Sequence, residues 1–290
     1  MHEFNPNHLK QLYIPSPSSH KGQNGKVMVI GGSKLFHAAS LWALEVAAHM
    51  VDMVYYASVA ENNTIVSQAK EQFRNGIVVP RDKIHDYIEE ADCILIGPGL
   101  PRFEGLEEGD DDTKTLTEYL LKKYPHKKWV IDGGSLQTMD IRFLSRSAIL
   151  TPHQKEFEML FKMPNDKFQM TNQVQMPNDQ IKKRARVVYK KAKEYECVIL
   201  LKGSIDIVCS PTECVRVSGG NAGMTKGGTG DVLAGLTAAL YAKNEAFLSA
   251  CAASYINKQA GDALFAEKGY WFTTSELAHE IPRAMKKLLL

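Results

Sequence analysis

Short apolar runs that each end in glycine or a polar residue recur along this 290-residue chain, and they limit its possible folds more than any other feature. The first run ends at Ile30, and a helical pattern over residues 38–50 and a second apolar run follow it, which is a βαβ unit. Repeated strand–helix alternation favours a single three-layer α/β/α domain with a mostly parallel central sheet. The turns that end the runs are Gly31-Gly32-Ser33, Gly97-Pro98-Gly99, Asp132-Gly133-Gly134, Thr151-Pro152-His153 and Lys202-Gly203.

The carboxyl ends of parallel strands lie at one edge of a sheet, where open α/β folds bind ligands. Five polar or glycine-rich strand ends therefore favour a ligand cleft at this edge. Each side chain also has a structural explanation. His153 could cap the next helix, Lys202 could be an ordinary strand-end cation, and Asp132 could cap a turn.

A glycine-rich loop over residues 219–231 opens onto a small, apolar helical segment at residues 232–240. The start of a helix offers unpaired N–H groups and partial positive charge, and glycines allow close backbone approach, so this loop predicts an anion site. Asp231 is unusual there, because a carboxylate competes with a bound anion. It is either a structural N-cap or a general base beside a phosphoryl group, and the loop alone does not decide between them.

Several classes of protein are disfavoured by what the chain lacks. There is no GxxxxGK[ST] motif, and no strand is followed by GxGxxG with an acidic residue about 20 positions on, so neither a P-loop nor a Rossmann cofactor site is supported. The net charge of +2 gives no argument for nucleic acid, and no apolar run reaches the roughly 18 residues of a membrane span.

The cysteines and the N-terminus predict a cytoplasmic protein. Five cysteines form no CxxC pair, and an odd number without a pairing pattern suggests a reducing compartment. Residues 1–25 hold three prolines and no apolar core segment, so they read as an extended arm or loop and not as a signal peptide. Residues 163–180 read as a polar loop or insert.

Residues 221–235 closely resemble the signature of the ADP/ATP-dependent NAD(P)H-hydrate dehydratases, which are nicotinamide nucleotide repair enzymes with a ribokinase-like fold. Further segments resemble this family in the same order along nearly the whole chain. They are residues 20–33, Gly97-Pro98-Gly99, Leu150 to His153 with Glu156-Phe157, Leu201-Lys202-Gly203, Ala260-Gly261-Asp262 and Ile281 to Ala284.

The resemblance implies dehydration of the S epimer of hydrated NADH or NADPH, coupled to cleavage of ADP or ATP. Hydroxide is a poor leaving group, and phosphorylation of the ring hydroxyl turns it into a good one. Phosphoryl transfer needs positioning, charge neutralisation and a base for the attacking hydroxyl. Asp231 is the expected base, and Gly228 to Gly230 are expected to hold the transferring phosphoryl group.

The resemblance also implies contacts for individual residues. Ala39, Gly99, His153 and Asp231 would bind the hydrated dinucleotide, and Glu156 would organise Mg²⁺ through water. The adenine nucleotide would be contacted by Lys202, Gly203, Ser204, Ile205 and Asp206, together with Gly227, Gly228, Thr229 and Gly230.

Partners follow from the same resemblance. The chain has no room for the epimerase domain fused in some relatives, so a separate epimerase is the expected functional partner. A homo-oligomer, such as a tetramer, is also expected. Two alternatives stay open: a ribokinase-like kinase of a vitamin-precursor alcohol of the hydroxymethylpyrimidine or thiazole type, and a non-catalytic adenine-nucleotide-binding protein.

Two segments depart from the family pattern. Asp132-Gly133-Gly134-Ser135 stands where the family usually has an Asp-Ala-Asp-Ala run, so the second acid is missing. Lys226 lies inside the glycine loop, where it either adds a phosphate contact or points to solvent.

Overall fold

Ten strands form one sheet in the computed structural model, which describes residues 1–102, 105–163 and 178–290. The strands are β1 (His2–Glu3), β2 (Lys26–Ile30), β3 (Met53–Ala57), β4 (Ile77–Val78), β5 (Cys93–Ile96), β6 (Lys128–Ile131), β7 (Ile149–Leu150), β8 (Val198–Leu201), β9 (Asp206–Cys209) and β10 (Cys214–Val217). The α-helices are α1 (His37–Met50), α2 (Ala60–Ala69), α3 (Ile84–Glu90), α4 (Thr113–Lys123), α5 (Gly133–Thr138), α6 (Gln154–Leu160), α7 (Asn178–Glu194), α8 (Thr229–Lys243), α9 (Ala246–Lys268) and α10 (Thr274–Leu289).

The strand order across the sheet is β1-β10-β9-β8-β7-β6-β5-β2-β3-β4. The run from β8 to β4 is parallel throughout, and β9 is antiparallel to both β8 and β10. The predicted mostly parallel α/β sheet is therefore confirmed. The antiparallel pair β9–β10 forms a hairpin whose turn contains Ser210-Pro211.

Both faces of the sheet are buried, which explains why its central strands are nearly continuous apolar runs. On β2, Val27 and Val29 face one core and Met28 and Ile30 face the other. The first core is covered mainly by α1, α8, α9 and α10, and the second mainly by α3, α4, α6 and α7. Helices on both faces give the three layers.

The strand ends do meet at one edge, as the alternation predicts. A ladder of backbone hydrogen bonds runs across them: Gly97 N donates to Ile30 O (3.1 Å), Asp132 N to Ile96 O (3.0 Å), Thr151 N to Ile131 O (3.1 Å), and Lys202 N to Pro152 O (2.8 Å). Side chains far apart in sequence are thereby brought together.

The predicted N-terminal arm packs against the rest of the protein, whereas most of the predicted insert lies outside the described residues. Within residues 1–25, β1 pairs with β10, and Phe4, Leu9 and Leu12 are buried in the first core. Of the predicted insert at 163–180, residues 178–180 form the first turn of α7, and residues 164–177 lie outside the described part of the chain.

The cysteine expectation is wrong for one pair. Cys209 and Cys214 form a disulfide across the β9–β10 hairpin, because its register sets them directly opposite each other with Cα atoms 4.1 Å apart. Cys93, Cys197 and Cys251 are free and buried. The disulfide removes the cysteine argument for a reducing compartment.

Candidate functional site

A buried ion-pair cluster lies at the strand-end edge, centred on Lys202 just after β8. Its Nζ lies 2.8 Å from Asp132 Oδ1 and 3.9 Å from Glu156 Oε2, and both carboxylates are almost fully buried. Thr151 Oγ1 donates to the same Asp132 oxygen at 2.8 Å. Burial lowers the pKa of Lys202, but the two carboxylates outweigh that effect and the net shift is upward, so this ammonium stays charged.

His153 and Glu156 form a capping box at the start of α6. Glu156 N donates to His153 Nδ1 (3.1 Å), and His153 N donates to Glu156 Oε2 (2.8 Å). Gln137 Nε2 donates to the other Glu156 oxygen at 3.1 Å. The structural explanation for His153 is thus confirmed, although its half-exposed ring also lines the cavity described below.

Asp231 lies in the first turn of α8, next to the same cluster. The N-cap of α8 is Gly228, so the N-cap explanation for Asp231 is wrong. Burial, followed by the negative charges of Asp132 and Glu156, raises the pKa of the Asp231 carboxyl to a net value of about 7, although Lys202 opposes the rise. A carboxyl group poised near neutral pH can accept a proton in a reaction.

The loop before α8 is held in place by tight packing. Gly228 has a φ of +96°, and a Cβ added there would lie 2.2 Å from the Trp42 ring. Thr274 Oγ1 donates to Gly227 O at 2.7 Å, and Thr229 Oγ1 donates to Met224 O at 2.7 Å. The glycine at 228 is therefore required by both backbone conformation and space.

A cavity of about 830 Å³ lies between this loop, the loop after β8 and the helix α9, and we call it the α8–α9 cavity. It brings together most of the residues predicted to contact a nucleotide. Its described lining residues do not include Ile205, Gly227, Gly228 or Asp231. The lining consists of His153, Lys202, Gly203, Ser204, Asp206, Gly219, Gly220, Asn221, Ala222, Met224, Thr225, Thr229, Gly230, Leu233, Asn257, Lys258 and Tyr270.

Lys258 is a site residue that the sequence reasoning missed. It is 5% exposed, and its Nζ donates to the carbonyls of Gly203 (3.3 Å), Ser204 (3.2 Å) and Gly219 (3.2 Å). The same ammonium lies 3.5 Å from Asp206 Oδ1. One buried cation thus joins the two loops that line the cavity. A lysine among the small residues of an Ala-rich helix was the signal that could have identified it.

The carboxylate of Asp206 is occupied by the protein itself. Gly203 N donates to Oδ1 at 2.8 Å and Ser254 Oγ donates to Oδ2 at 2.7 Å. Asp206 therefore shapes the loop after β8. On the other loop, Asp262 Oδ2 accepts from Gly220 N at 3.0 Å, which gives the Ala260-Gly261-Asp262 segment a structural purpose.

Ala39 and Gly99 lie together at the start of α1, and neither is among the described residues that line the α8–α9 cavity. Gly99 has a φ of +71°, and an added Cβ would lie 2.8 Å from Phe36 O and 3.2 Å from Ala39 Cβ. The turn after β5 therefore touches α1 through backbone atoms, with no room for a side chain at position 99.

The two departures from the family pattern have structural explanations. A Cβ at Gly134 would lie 2.2 Å from Leu100 O, so this backbone has no space for an acidic side chain. Lys226 Nζ donates to Gly223 O at 3.3 Å and lies 4.9 Å from the centre of the Phe272 ring. Lys226 thus lies at an exposed position, in line with the predicted solvent orientation, and its ammonium also braces its own loop.

Within the described residues, protein side chains alone do not form a metal site. There, no group of three or more His, Cys, Asp and Glu side chains could hold a metal ion. Both oxygens of Glu156 already accept hydrogen bonds. Mg²⁺ commonly keeps several waters and uses substrate phosphates as ligands, so a water-mediated role for Glu156 fits this donor set.

The sheet order, the layers and the strand-end site define the class of protein, which is a ribokinase-like fold. The solved structure of the ADP/ATP-dependent NAD(P)H-hydrate dehydratase from Bacillus subtilis, co-crystallised with ATP/Mg²⁺, is similar to this chain. The TM-score is 0.76, with 21% identity over 99% of this chain and 98% of that one. At this identity the likeness establishes the fold.

The family model for NAD(P)H-hydrate dehydratase matches residues 27–283, and the chain belongs to that family. It is 35% identical to the bifunctional NAD(P)H-hydrate repair enzyme Nnr of Methanocaldococcus jannaschii, covering 96% of this chain and 51% of the relative. It is 31% identical to the ADP-dependent (S)-NAD(P)H-hydrate dehydratase of Nitrosopumilus maritimus, covering 96% and 95%. The chain thus spans about half the length of the bifunctional relatives that it matches.

Proposed function

We propose that this protein dehydrates the S epimer of hydrated NADH or NADPH with ADP or ATP as co-substrate. One observation carries the proposal: a carboxyl group with a pKa of about 7, Asp231, lies beside the charged Lys202 cluster at the start of a helix that follows a glycine loop. Family membership and the name of the Nitrosopumilus relative support the substrate and the co-substrate.

Asp231 acts as the general base in this mechanism. It accepts the proton of the ring hydroxyl as the hydroxyl oxygen attacks the terminal phosphorus of the nucleotide, and the bond from that phosphorus to the nucleotide breaks. Inorganic phosphate then leaves the new ester with the carbon–oxygen bonding electrons, driven by the lone pair of the ring nitrogen. Loss of a proton from the adjacent carbon restores the dihydronicotinamide ring.

The remaining residues position and neutralise charge. The N–H groups from Gly228 to Gly230 and the Lys202 ammonium stabilise negative charge on the transferring phosphoryl group. The loop from Lys202 to Asp206 and residues 227–230 hold the nucleotide in the α8–α9 cavity. Ala39, Gly99 and His153 bind the hydrated dinucleotide on the other side of Asp231.

Mg²⁺ is part of the proposal in a limited role. Glu156 would hold it through water, and when bound the ion would neutralise charge on the nucleotide phosphates. Co-crystallisation of the Bacillus subtilis enzyme with ATP/Mg²⁺ supports the involvement of Mg²⁺, and the role of Glu156 rests on its position in this structure.

Further proposals concern the setting of the enzyme. A separate epimerase as functional partner is supported by the bifunctional relatives, of which this chain matches about half. A single domain over residues 1–290, a homotetramer and a cytoplasmic location stay predictions. In the described part of the chain, no helix is both long and apolar enough to cross a bilayer.

The decisive experiment mixes the protein with hydrated NADH and ADP and follows the absorbance of regenerated NADH. We expect turnover by the wild type, and a loss of at least about 100-fold in kcat for Asp231→Asn with the Kd for ADP little changed. Asp112→Asn, which alters the N-cap of the distant α4, is the matched control and keeps full activity.

Three results would contradict the proposal or part of it. Wild-type activity in Asp231→Asn would show that Asp231 is not the general base. No recovery of NADH, together with phosphorylation of a vitamin-precursor alcohol, would favour the kinase alternative. ADP binding without turnover of either substrate would favour the non-catalytic alternative.

A further inference from the structure

The α8–α9 cavity has two unlike ends. At the start of α8 it is lined by Gly230 and Lys202, which offer an N–H group and a positive charge. One turn further along the helix it is lined by Leu233, which is 4% exposed. This inference rests on the proposed function. With a nucleotide in the cavity, the first end suits its phosphates and the second suits the flat apolar faces of its base.

Most polar side chains that line this cavity already form hydrogen bonds inside the protein. The Lys258 ammonium is occupied by three carbonyls, and Asn221 Nδ2 donates to Gly261 O at 2.9 Å. The hydroxyls of Thr225 and Thr229 donate to carbonyls of their own loop, and Asp206 accepts from Gly203 and Ser254. These groups shape the cavity and are poorly placed to form hydrogen bonds with a ligand.

Asn257 differs from these groups, because it carries a buried polar atom without a partner in the described part of the chain. It lies on α9, lines the cavity and is 5% exposed, yet its Oδ1 has no hydrogen-bond partner among the residues that the structure describes. A buried amide oxygen without a partner lowers stability, so such an atom needs an explanation. Its neighbours Ser254 and Lys258 bind the loop after β8, which fixes this part of α9.

We propose that Asn257 reads the base of the nucleotide, with its side-chain oxygen accepting a hydrogen bond from the exocyclic amino group of adenine. An asparagine amide pairs well with the polar edge of adenine. The χ2 angle of asparagine is soft, so a small rotation of the amide turns the enclosed oxygen toward the base. Leu233 then packs against the base, and Asn257 becomes a specificity-determining residue at the end of the cavity remote from the phosphates.

The test is calorimetric titration of ADP and of purine riboside 5′-diphosphate, which lacks the amino group, into wild type and Asn257→Leu. We expect the wild type to bind ADP about 10-fold more tightly than the analogue. Asn257→Leu should bind the two diphosphates equally, because the leucine has a similar volume and no acceptor. Equal phosphate groups in both ligands cancel contributions from Lys202 and the glycine loop.

Two further measurements separate recognition from folding. Without nucleotide, Asn257→Leu should unfold at the same temperature as the wild type or higher, because it removes an unpaired buried polar group. Asn257→Asp keeps the acceptor and should keep a preference for ADP over the analogue, although its added charge weakens both.

Each outcome decides the matter. If Asn257→Leu keeps the preference for ADP, the inference is wrong while the proposed function stands. If Asn257→Leu unfolds at lower temperature with unchanged preference, Asn257 is structural and the inference is again wrong. If the wild type binds neither diphosphate, the inference and the proposed function both fail.

Discussion

The two sides of the strand-end edge are stabilised by different physical means. On the side of the α8–α9 cavity, which we call the nucleotide side after its proposed ligand, buried polar side chains such as Lys258 and Asp206 bind backbone groups of the surrounding loops. On the opposite side, backbone packs directly on backbone at Gly31, Gly97, Gly99, Gly133 and Gly134, which we call the glycine side. The first arrangement depends on charge and hydrogen bonding, and the second on the absence of side chains.

This difference predicts what each side tolerates. A loop held by one ammonium can loosen when that charge is removed, while its backbone keeps room to adjust. A turn whose backbone lies directly against a neighbouring carbonyl has no such room, so any Cβ must displace the sheet edge itself. Substitutions on the glycine side should therefore affect folding first, and those on the nucleotide side should affect binding as well.

The largest effect is expected for Gly97→Ala. Its Cβ would lie 1.7 Å from Asp132 O, and the residue has a φ of +122°, so we expect a loss of about 4 kcal/mol or more in the free energy of unfolding. Gly227→Ala is the matched control, because its Cβ would meet nothing within 4 Å and should change stability by less than about 1 kcal/mol. Chemical denaturation measures both, and similar losses would refute the comparison.

The second-largest effect is expected for Lys258→Met. It keeps most of the aliphatic stem but leaves Asp206 and three carbonyls without their cation, so we expect about 3 kcal/mol of destabilisation and clearly weaker ADP binding. Lys226→Met, at an exposed position of the glycine loop, should lose less than about 1 kcal/mol. Chemical denaturation and calorimetry together would show whether stability and ADP affinity both fall. Unchanged affinity would mean that the two loops keep their positions without the Lys258 ammonium.

A smaller effect concerns stability against pH. The folded-state pKa of Asp231 lies above its unfolded value, so the wild type loses stability as pH rises through the range from the unfolded pKa to about 7. At pH 8 Asp231→Asn should be more stable than wild type by about 1 to 2 kcal/mol after allowance for solvent screening, and the gain should vanish near pH 4. A gain that is the same at both pH values would contradict the raised pKa.

The smallest expected change is in the pH profile of Asp132→Asn. Wild-type kcat/KM should fall as pH drops through about 7, because Asp231 becomes protonated. Burial and then Asp132 raise that pKa, so removal of the Asp132 charge should move the fall to lower pH. Asp140→Asn changes the net charge equally at a distant surface ion pair and should leave the profile in place. If the pH profile of Asp132→Asn does not move, the charge of Asp132 does not raise the pKa of Asp231.

The sequence predicted the parts of the site that depend on sheet geometry. Asp132 and Lys202 are 70 residues apart, yet the rule for parallel strand ends places them together, and their ion pair confirms it. Strand β3 at Met53–Ala57 was likewise predicted, because a buried apolar run bounded by polar residues has few alternatives.

Features that depend on distant packing were missed. Helix α5 begins at Gly133, where two glycines read as a turn, because only the packing against Leu100 reveals why glycine is needed. The convergence of three carbonyls on Lys258 involves loops about 40 to 55 residues away in sequence, which helical periodicity cannot anticipate. The Cys209–Cys214 pair needed the hairpin register, and a count of cysteines does not contain it.

The contact between Gly228 and Trp42 provides the protein with an internal fluorescent probe. The indole packs on the glycine that caps α8, and its Nε1 donates to Ser275 Oγ at 3.0 Å. Any movement of the loop on nucleotide binding must therefore alter the surroundings of this fluorophore. Of the other two tryptophans, Trp129 is fully buried in the second core and Trp271 is 83% exposed. In a Trp271→Phe background, Trp129 stays in the core, and a change in emission on addition of nucleotide would report on Trp42.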